Sequence, residues 1–526
     1  MNRRNFVKLL SGTALAPIST NSNFISATSL ESFSHPNHFD FFDSLPIVNR
    51  DLGEMYFPPN YDEQKTYDVI VIGSGIGGGV LADATSDAGL KTLVLEAGPL
   101  RHFVHVANLP IGNALEIFTP YELVPGSSTY GGISFCLGGK SIYWSNVIPR
   151  MEPWELKYWP EVTADYLLRE GYSNAETTFR KQTKFQSSQL QLRDTLETEL
   201  SDFSVANLPR AYHTPDGSSG KSFRGERTTG AFSTAALLTS SIVTPGRAGS
   251  DNLTINLNQL VTHIETDKRR AVSVHCYDPV QRKTRRFKGR SIVICAGTME
   301  SARISLCSGL KDLSGKLARG ATYHQSAESQ FTIPDTYDVL TRYEEAKILL
   351  RPKNHEQQDQ FTCELALNWQ FWDAKTEDDD IWNQRFSFPG ASRSTMKFLF
   401  RHPLNDKNFL KVSNGKCNAF IEPMSGEPFK QQITRLQNRI FNFLGVEKEQ
   451  STQDIAYHQA GDGMWHIAGS LRMGDRGVGV VDTNLKFHEY DNLYACDLSV
   501  FPDIPAANPS LTLGALAIRL AKELSK

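Results

Sequence analysis

The segment Gly73-Ser74-Gly75-Ile76-Gly77-Gly78 has the spacing GxGxxG, between a β-branched run, Tyr67 to Ile72, and a small-residue stretch, Gly79 to Ala88. A buried strand that ends in glycines and opens a helix is the setting in which this spacing cradles a dinucleotide pyrophosphate. Gly73, Gly75 and Gly78 permit the tight turn, the close approach of the phosphates and the close packing of helix on strand. The helix N-terminus then offers unpaired N–H groups to negative charge. A second run, Lys91 to Leu95, closes on Glu96, at the spacing expected for a carboxylate that accepts ribose hydroxyls. Because NAD and FAD both carry ADP, this unit alone does not choose between them.

Other chemistries find little support. The seven cysteines include no CxxC pair and no His-rich metal pattern, so neither a zinc site nor a disulfide framework is indicated. A formal net charge of -3 provides no basic field for a phosphate backbone, which argues against nucleic acid as a partner. Apolar residues at 40% and charged residues at 21% describe a soluble chain able to bury a large core.

The elements that must hold this site follow from patterning. Ser291 to Ala296 is another apolar run short enough for a buried parallel strand, and it ends at Gly297. Trp159 to Arg180 has helical periodicity, and Val243 to Glu265 reads as loop and then strand. Cys363, Leu365, Leu367, Trp369 and Phe371 alternate with Glu364, Asn368 and Gln370, which predicts an antiparallel strand with one wetter face. Asp491 to Lys526 reads as a strand, a Pro/Asn turn and an apolar helix. A nucleotide-type beginning and end around an antiparallel middle predict a mixed α/β and α+β fold, in which a discontinuous Rossmann-like cofactor domain carries a second, mostly antiparallel domain.

The first residues, Asn2-Arg3-Arg4-Asn5-Phe6-Val7-Lys8, resemble a twin-arginine export signature ahead of an apolar run, Leu9 to Ile18, that is too short to span a bilayer. The expectation is a periplasmic or secreted protein without an integral membrane segment. Cleavage would also remove Arg3, Arg4 and Lys8, taking the formal charge from -3 to -6.

Several patches carry a family resemblance. They are Gly138-Gly139-Lys140-Ser141-Ile142-Tyr143-Trp144, then His466-Ile467-Ala468-Gly469-Ser470-Leu471-Arg472-Met473-Gly474, then Asn492 to Pro502, and finally Asn508-Pro509-Ser510-Leu511-Thr512. In this order they resemble the glucose-methanol-choline (GMC) oxidoreductases, with the first patch nearer the pyranose-oxidising and polyol-dehydrogenating branches. The resemblance implies FAD and oxidation of a CH–OH group, with His466 as general base and Asn508 as hydrogen-bond donor to the developing alkoxide while hydride passes to flavin N5. It also implies cofactor contacts at Gly138, Gly139, Ser141, Trp144, Val261, Ala296, Asp497, Pro509 and Thr512, beside Gly73, Gly75, Gly78 and Glu96, and no metal. Some relatives attach the flavin covalently through a histidine where Tyr143 stands here, so non-covalent FAD is expected. His324 matches a family histidine near the domain junction and receives no chemical role. His458 is read as structural or as part of the site's rim.

The expected boundaries are a signal region at 1–30, an arm at 31–66, cofactor-domain segments at 67–158, 225–310 and 455–526, and substrate-domain segments at 159–224 and 311–454. The substrate expected first is a sugar or polyol, for which Trp369 to Trp372 could offer a stacking surface beside the solvated run Asp378 to Asp380. A sterol or aromatic alcohol is the main rival. The electron acceptor is expected to be oxygen or a quinone or cytochrome. A lyase that retains FAD, a non-catalytic flavoprotein and an NAD-dependent dehydrogenase are the competing functions.

Overall fold

The structure is a computed structural model. It describes residue 53 and residues 55–526, apart from 106–118, 121, 128–131, 214–229, 244–248, 334–345, 368–391, 423–425, 448–455 and 459–465. Arg3, Arg4, Lys8, Trp369 to Trp372 and Asp378 to Asp380 lie outside the described residues.

Strand β1 (Thr66–Ile72), helix α1 (Ile76–Asp87) and strand β2 (Thr92–Leu95) form the opening βαβ unit. Its β-branched strands are buried on both faces, as parallel strands covered by helices must be. Strand β3 (Phe203–Asn207) joins a separate sheet. The chain then returns through α2 (Thr234–Val243), β4 (Leu253–Asn256), β5 (Leu260–Asp267), β6 (Arg270–Asp278), the long β7 (Lys283–Ile294) and α3 (Thr298–Cys307).

Next come β8 (Arg319–Tyr323), β9 (Ser326–Ile333), β10 (Ala346–Pro352), β11 (Phe361–Leu367), β12 (Ser392–Phe400), β13 (Phe409–Ser413) and β14 (Lys416–Phe420). Helix α4 (Glu427–Leu444), β15 (Ala456–His458), β16 (Ile467–Ser470), β17 (Leu493–Ala495) and α5 (Ser510–Leu524) complete the chain.

The first sheet runs β4-β2-β1-β7-β6-β5, with β17 on the far half of β7. Its β4, β2, β1, β7 and β17 are mutually parallel, and β5, β6 and the start of β7 form an antiparallel meander. Because β17 is parallel to β1 through β7, the C-terminal segment delivers its residues to the same sheet edge as the glycine loop. The second sheet, β15-β9-β12-β11-β10-β3, is antiparallel throughout. Helices α4 and Ser187–Glu199 cover it with an apolar cluster that includes Leu192, Leu196, Phe429, Ile433 and Ile440. Together the two sheets give the mixed α/β architecture that the motifs predict.

The expected wetter face of the 361–367 strand is a correction. Every residue of β11 is buried: Cys363, Leu365 and Leu367 join the apolar cluster, while Glu364 and Ala366 line an internal cavity. The alternation therefore separates a dry core from a cavity wall rather than from bulk water. The helical reading of Trp159 to Arg180 corresponds to Glu161–Tyr166 and Tyr172–Thr178, joined by a π-type turn at Leu167–Gly171. Among the described residues no helix is long and apolar enough to cross a membrane.

Candidate active site

A cavity of about 540 Å³ lies between the parallel sheet and the antiparallel sheet, within the size range of small-molecule and cofactor sites. One part of its wall is the glycine loop with Glu96, Gln259, Val261 and Arg303. Another carries His466, Asn508, Glu328, Lys347, Glu364, Thr395 and Lys397.

The loop geometry accounts for its glycines. Gly73 has φ +98°, and a Cβ there would stand 2.6 Å from the Cys295 carbonyl oxygen. At Gly75 a Cβ would meet nothing within 4 Å, so this position faces open space, as a close phosphate approach requires. Gly78 does not line the cavity; its Cα sits against Gly73 and Cys295 and lets α1 pack on the sheet.

Glu96 accepts hydrogen bonds from the Ser74 N–H at 3.1 Å, the Ser74 hydroxyl at 2.6 Å and the Gly98 N–H at 3.0 Å. Burial nevertheless raises its carboxyl to about 7. At the same part of the wall, Arg303 donates to the Val261 carbonyl at 2.7 Å and pairs with Glu300 at 2.6 Å.

The family-patterned loop at Gly138–Trp144 is tied to the glycine loop. The Gly138 N–H donates to the Ser74 hydroxyl at 2.8 Å, and Ser141 bonds Gly138 and Thr234. Gly139, Ser141, Tyr143 and Trp144 line the cavity, whereas Gly138 lies behind it. The Trp144 indole donates to the Phe232 carbonyl at 2.7 Å, and the Tyr143 hydroxyl is 2.6 Å from the Ser134 hydroxyl.

Ala296 and Asp497 also reach the wall. The Asp497 carboxylate accepts from the N–H groups of Gly297 at 2.9 Å and Ser499 at 2.8 Å and from the Ser301 hydroxyl, tying the ends of β7 and β17 together. Burial raises its pKa. Pro509 and Thr512 are off the wall, which Ser510 and Leu513 line instead. The Thr512 hydroxyl is 3.1 Å from that of Tyr172, so its role is to fasten α5.

His466 is placed by backbone geometry immediately after it. Gly469 has φ +88°, and a Cβ there would approach the Gly320 carbonyl oxygen to 2.5 Å, so only glycine lets β16 lie against β8 at this point. That pairing sets His466 beside His324: the His324 N–H donates to the His466 carbonyl at 2.9 Å, and the two Nδ1 atoms are 3.2 Å apart. His324 Nε2 is buried and has no partner among the described residues.

Burial, reinforced by Lys140 and Lys397, lowers the His466 imidazole to about 3. Burial likewise lowers Lys140 to about 7. His466 is thus a neutral imidazole across the ordinary pH range, which is the form able to take a proton.

Asn508 is 3% exposed, its side chain hydrogen-bonds Glu364, and its buried Oδ1 has no partner among the described residues. The motifs single out none of Glu364, Lys397, Lys347 and Glu328, which line the same cavity, and leave His324, beside His466, without a chemical role. The sheet register assembles most of them, with Glu328 and Glu364 both opposite Lys397 on β12. The alternating Glu364 in an apolar strand was a visible signal, but nothing local said what it would face.

A Rossmann-type sheet faces an antiparallel sheet across a cavity whose wall includes a His and an Asn. Residues 429–517, which include His466 and Asn508, match the family profile described as GMC oxidoreductase. The chain is 24% identical over 313 residues to paromamine 6'-oxidase of Streptomyces fradiae, a match covering 53% of each chain. It therefore aligns with about half the length of that curated relative. Its fold is similar to the crystal structure of pyridoxine 4-oxidase from Mesorbium loti, at a TM-score of 0.59 and 16% identity over 87% of this chain and 98% of that one. Residues 429–517 therefore carry the GMC oxidoreductase C-terminal pattern, and the rest of the chain shares the fold of a GMC-type structure.

Proposed function

We propose that this protein binds FAD non-covalently and oxidises a CH–OH group of a polar, hydroxylated small molecule, a sugar or polyol. The observation that carries the reading is the single cavity whose wall includes both the glycine loop with Glu96 and the pair His466 and Asn508. The residues fit the cofactor: Gly75 is open, the start of α1 presents N–H groups, and Glu96 offers a carboxylate for ribose hydroxyls. When bound, FAD would supply the two-electron acceptor for hydride.

The chain's own contribution is proton management and charge stabilisation. His466 takes the O–H proton as the C–H hydride leaves, so the alcohol carbon becomes a carbonyl carbon. For Nε2 to be the basic atom, the His466 proton must sit on Nδ1 and be donated to His324 Nδ1, 3.2 Å away. His324 thereby holds the reactive tautomer. Asn508 donates to the oxygen as it gains negative charge, a fixed dipole where charge develops.

A polar substrate is favoured over a sterol or aromatic alcohol by the wall beside the pair. Glu328, Lys347, Glu364, Thr395 and Lys397 form a polar surface that would leave an apolar ring system poorly matched. The two relatives are both named as oxidases, one for the 6' position of paromamine and one for position 4 of pyridoxine. Those names favour oxygen as the electron acceptor over a quinone or cytochrome. The Arg3-Arg4 signature supports export to the periplasm by the twin-arginine route.

The test is to purify the protein, record its visible spectrum, and add sugars, polyols, sterols and aromatic alcohols without oxygen. Bleaching of a flavin spectrum by a polyhydroxylated compound supports the reading. A flavin that no alcohol bleaches contradicts it and favours a lyase, and a colourless protein contradicts FAD. Recovery of colour in air, or only with a quinone, identifies the acceptor.

A further inference from the structure

We propose that Glu364 is a positioning residue that sets which end of the Asn508 amide is presented to the reacting oxygen. The inference rests on the alcohol-oxidation reading and deepens it. Glu364 projects from β11 onto the cavity wall, is 8% exposed, and hydrogen-bonds the Asn508 side chain. Two buried atoms of this pair, Glu364 Oε1 and Asn508 Oδ1, have no hydrogen-bond partner among the described residues. Both are acceptors when the carboxyl is ionised, so in that state neither can satisfy the other.

A proton on Glu364 resolves the conflict. The carboxyl O–H donates to Asn508 Oδ1, and the amide, whose two ends have the same shape, turns its Nδ2 away from Glu364. Nδ2 is then the end left for the substrate oxygen, as alkoxide stabilisation requires. In the ionised state Glu364 instead takes Nδ2, leaving Oδ1, which repels an alkoxide.

The surrounding charges bear on this proton from each neighbouring element. Burial raises the Glu364 carboxyl and Glu328 on β9 raises it further, while Lys397 on β12, the hydrogen bond from the Asn508 side chain and Lys347 on β10 lower it. On the Asn508 side, the carboxyl of Glu155 accepts from the Ala507 N–H at 3.0 Å and fixes the backbone there. The upward push is the larger.

Two measurements test the proposal on the holoenzyme. The first does not depend on turnover: the infrared difference between wild type and Glu364→Gln at neutral pH should contain a protonated carboxyl band, shifted in Asn508→Ala. Only carboxylate bands in that difference would overturn the proposal.

The second is a double-mutant cycle on the rate of flavin reduction by alcohol. Asn508→Ala should lower the rate about 100-fold or more. Glu364→Leu should lower it about tenfold or more alone, yet less than about twofold in the Asn508→Ala background, because its effect passes through the amide. Glu364→Gln, whose amide can donate to Oδ1 at every pH, should stay near the wild-type rate and remove the wild type's loss of rate at high pH. Equal losses from Glu364→Leu in both backgrounds would overturn the proposal. A flavin that alcohols never reduce overturns the oxidoreductase reading and this role with it. Reduction without the carboxyl band overturns the role of Glu364 alone.

Discussion

The Nδ1 atoms of His324 and His466 stand 3.2 Å apart, and the main chains of the same two residues are joined by a 2.9 Å hydrogen bond. One of the two rings must donate across that gap. If His466 donates, its Nε2 is the base. His324→Gln, which can still accept through its side-chain oxygen, should keep more of the alcohol-driven reduction rate than His324→Leu. Rapid-mixing measurements should show a loss of about ten- to a hundredfold in kcat for His324→Leu with KM little changed. Equal rates for both variants and wild type would remove His324 from the mechanism.

The glycines at 73 and 469 carry separable burdens. Gly73→Ala places a methyl group 2.6 Å from the Cys295 carbonyl in a left-handed backbone, a cost of about 1–2 kcal/mol from conformation alone before the clash. The variant should purify with little flavin. Gly469→Ala should push β16 away from β8, keep its flavin, and lose reduction rate because His466 moves. Flavin absorbance per protein, measured beside the rate, distinguishes the two outcomes.

Thr512 is a fastener of α5, since its hydroxyl is the partner of the buried Tyr172 hydroxyl. Thr512→Val should leave flavin content unchanged and lower stability by about 1 kcal/mol, because the Tyr172 hydroxyl loses this partner but still accepts from the Met151 N–H. Denaturant unfolding checks this, and a loss of flavin at unchanged stability would return Thr512 to the cofactor contacts.

Acid should destabilise the fold near neutrality. Burial lowers His105 and His466 to about 3 and His213, His263 and His402 to about 4. Each accepts a proton more readily unfolded, near 6.5, so stability present above that pH is lost as pH falls. Glu96 and Asp503, raised to about 7, act in the opposite sense: they favour the fold at low pH and lose that contribution as pH rises through 7. His324 is lowered as well and adds to the five, while Glu155, Glu364 and Asp497, also raised by burial, offset part of the loss; with the histidines the larger group, Tm should drop between pH 7 and pH 5. His105→Gln, which can still donate to the Trp144 carbonyl, should flatten the drop.

The glycine-loop end of the candidate site is local in sequence. GxGxxG, the strand before it and Glu96 are contiguous features whose physics is local, and the structure brings them to one wall. The pair His466 and Asn508 was legible through its flanking motif, and both line the cavity. What escaped is set by pairing between distant strands. His324 meets His466 only because β8 lies beside β16, and Glu364 meets Lys397 only through the β11–β12 register. Gly78, Gly138, Pro509 and Thr512 share the motif but stand one layer behind the wall, since a short motif does not reveal which of its residues face inward. The wetter face expected of β11 was correct in polarity and wrong in surroundings, because a cavity and bulk water select the same residue types.

The central claim is that His466 removes the alcohol proton at a flavin. It is tested most directly by anaerobic stopped-flow reduction of wild type and His466→Ala, each with full flavin content, by the best alcohol substrate. Wild type should bleach, and His466→Ala should bleach at least about 100-fold more slowly. Equal bleaching rates would contradict the claim.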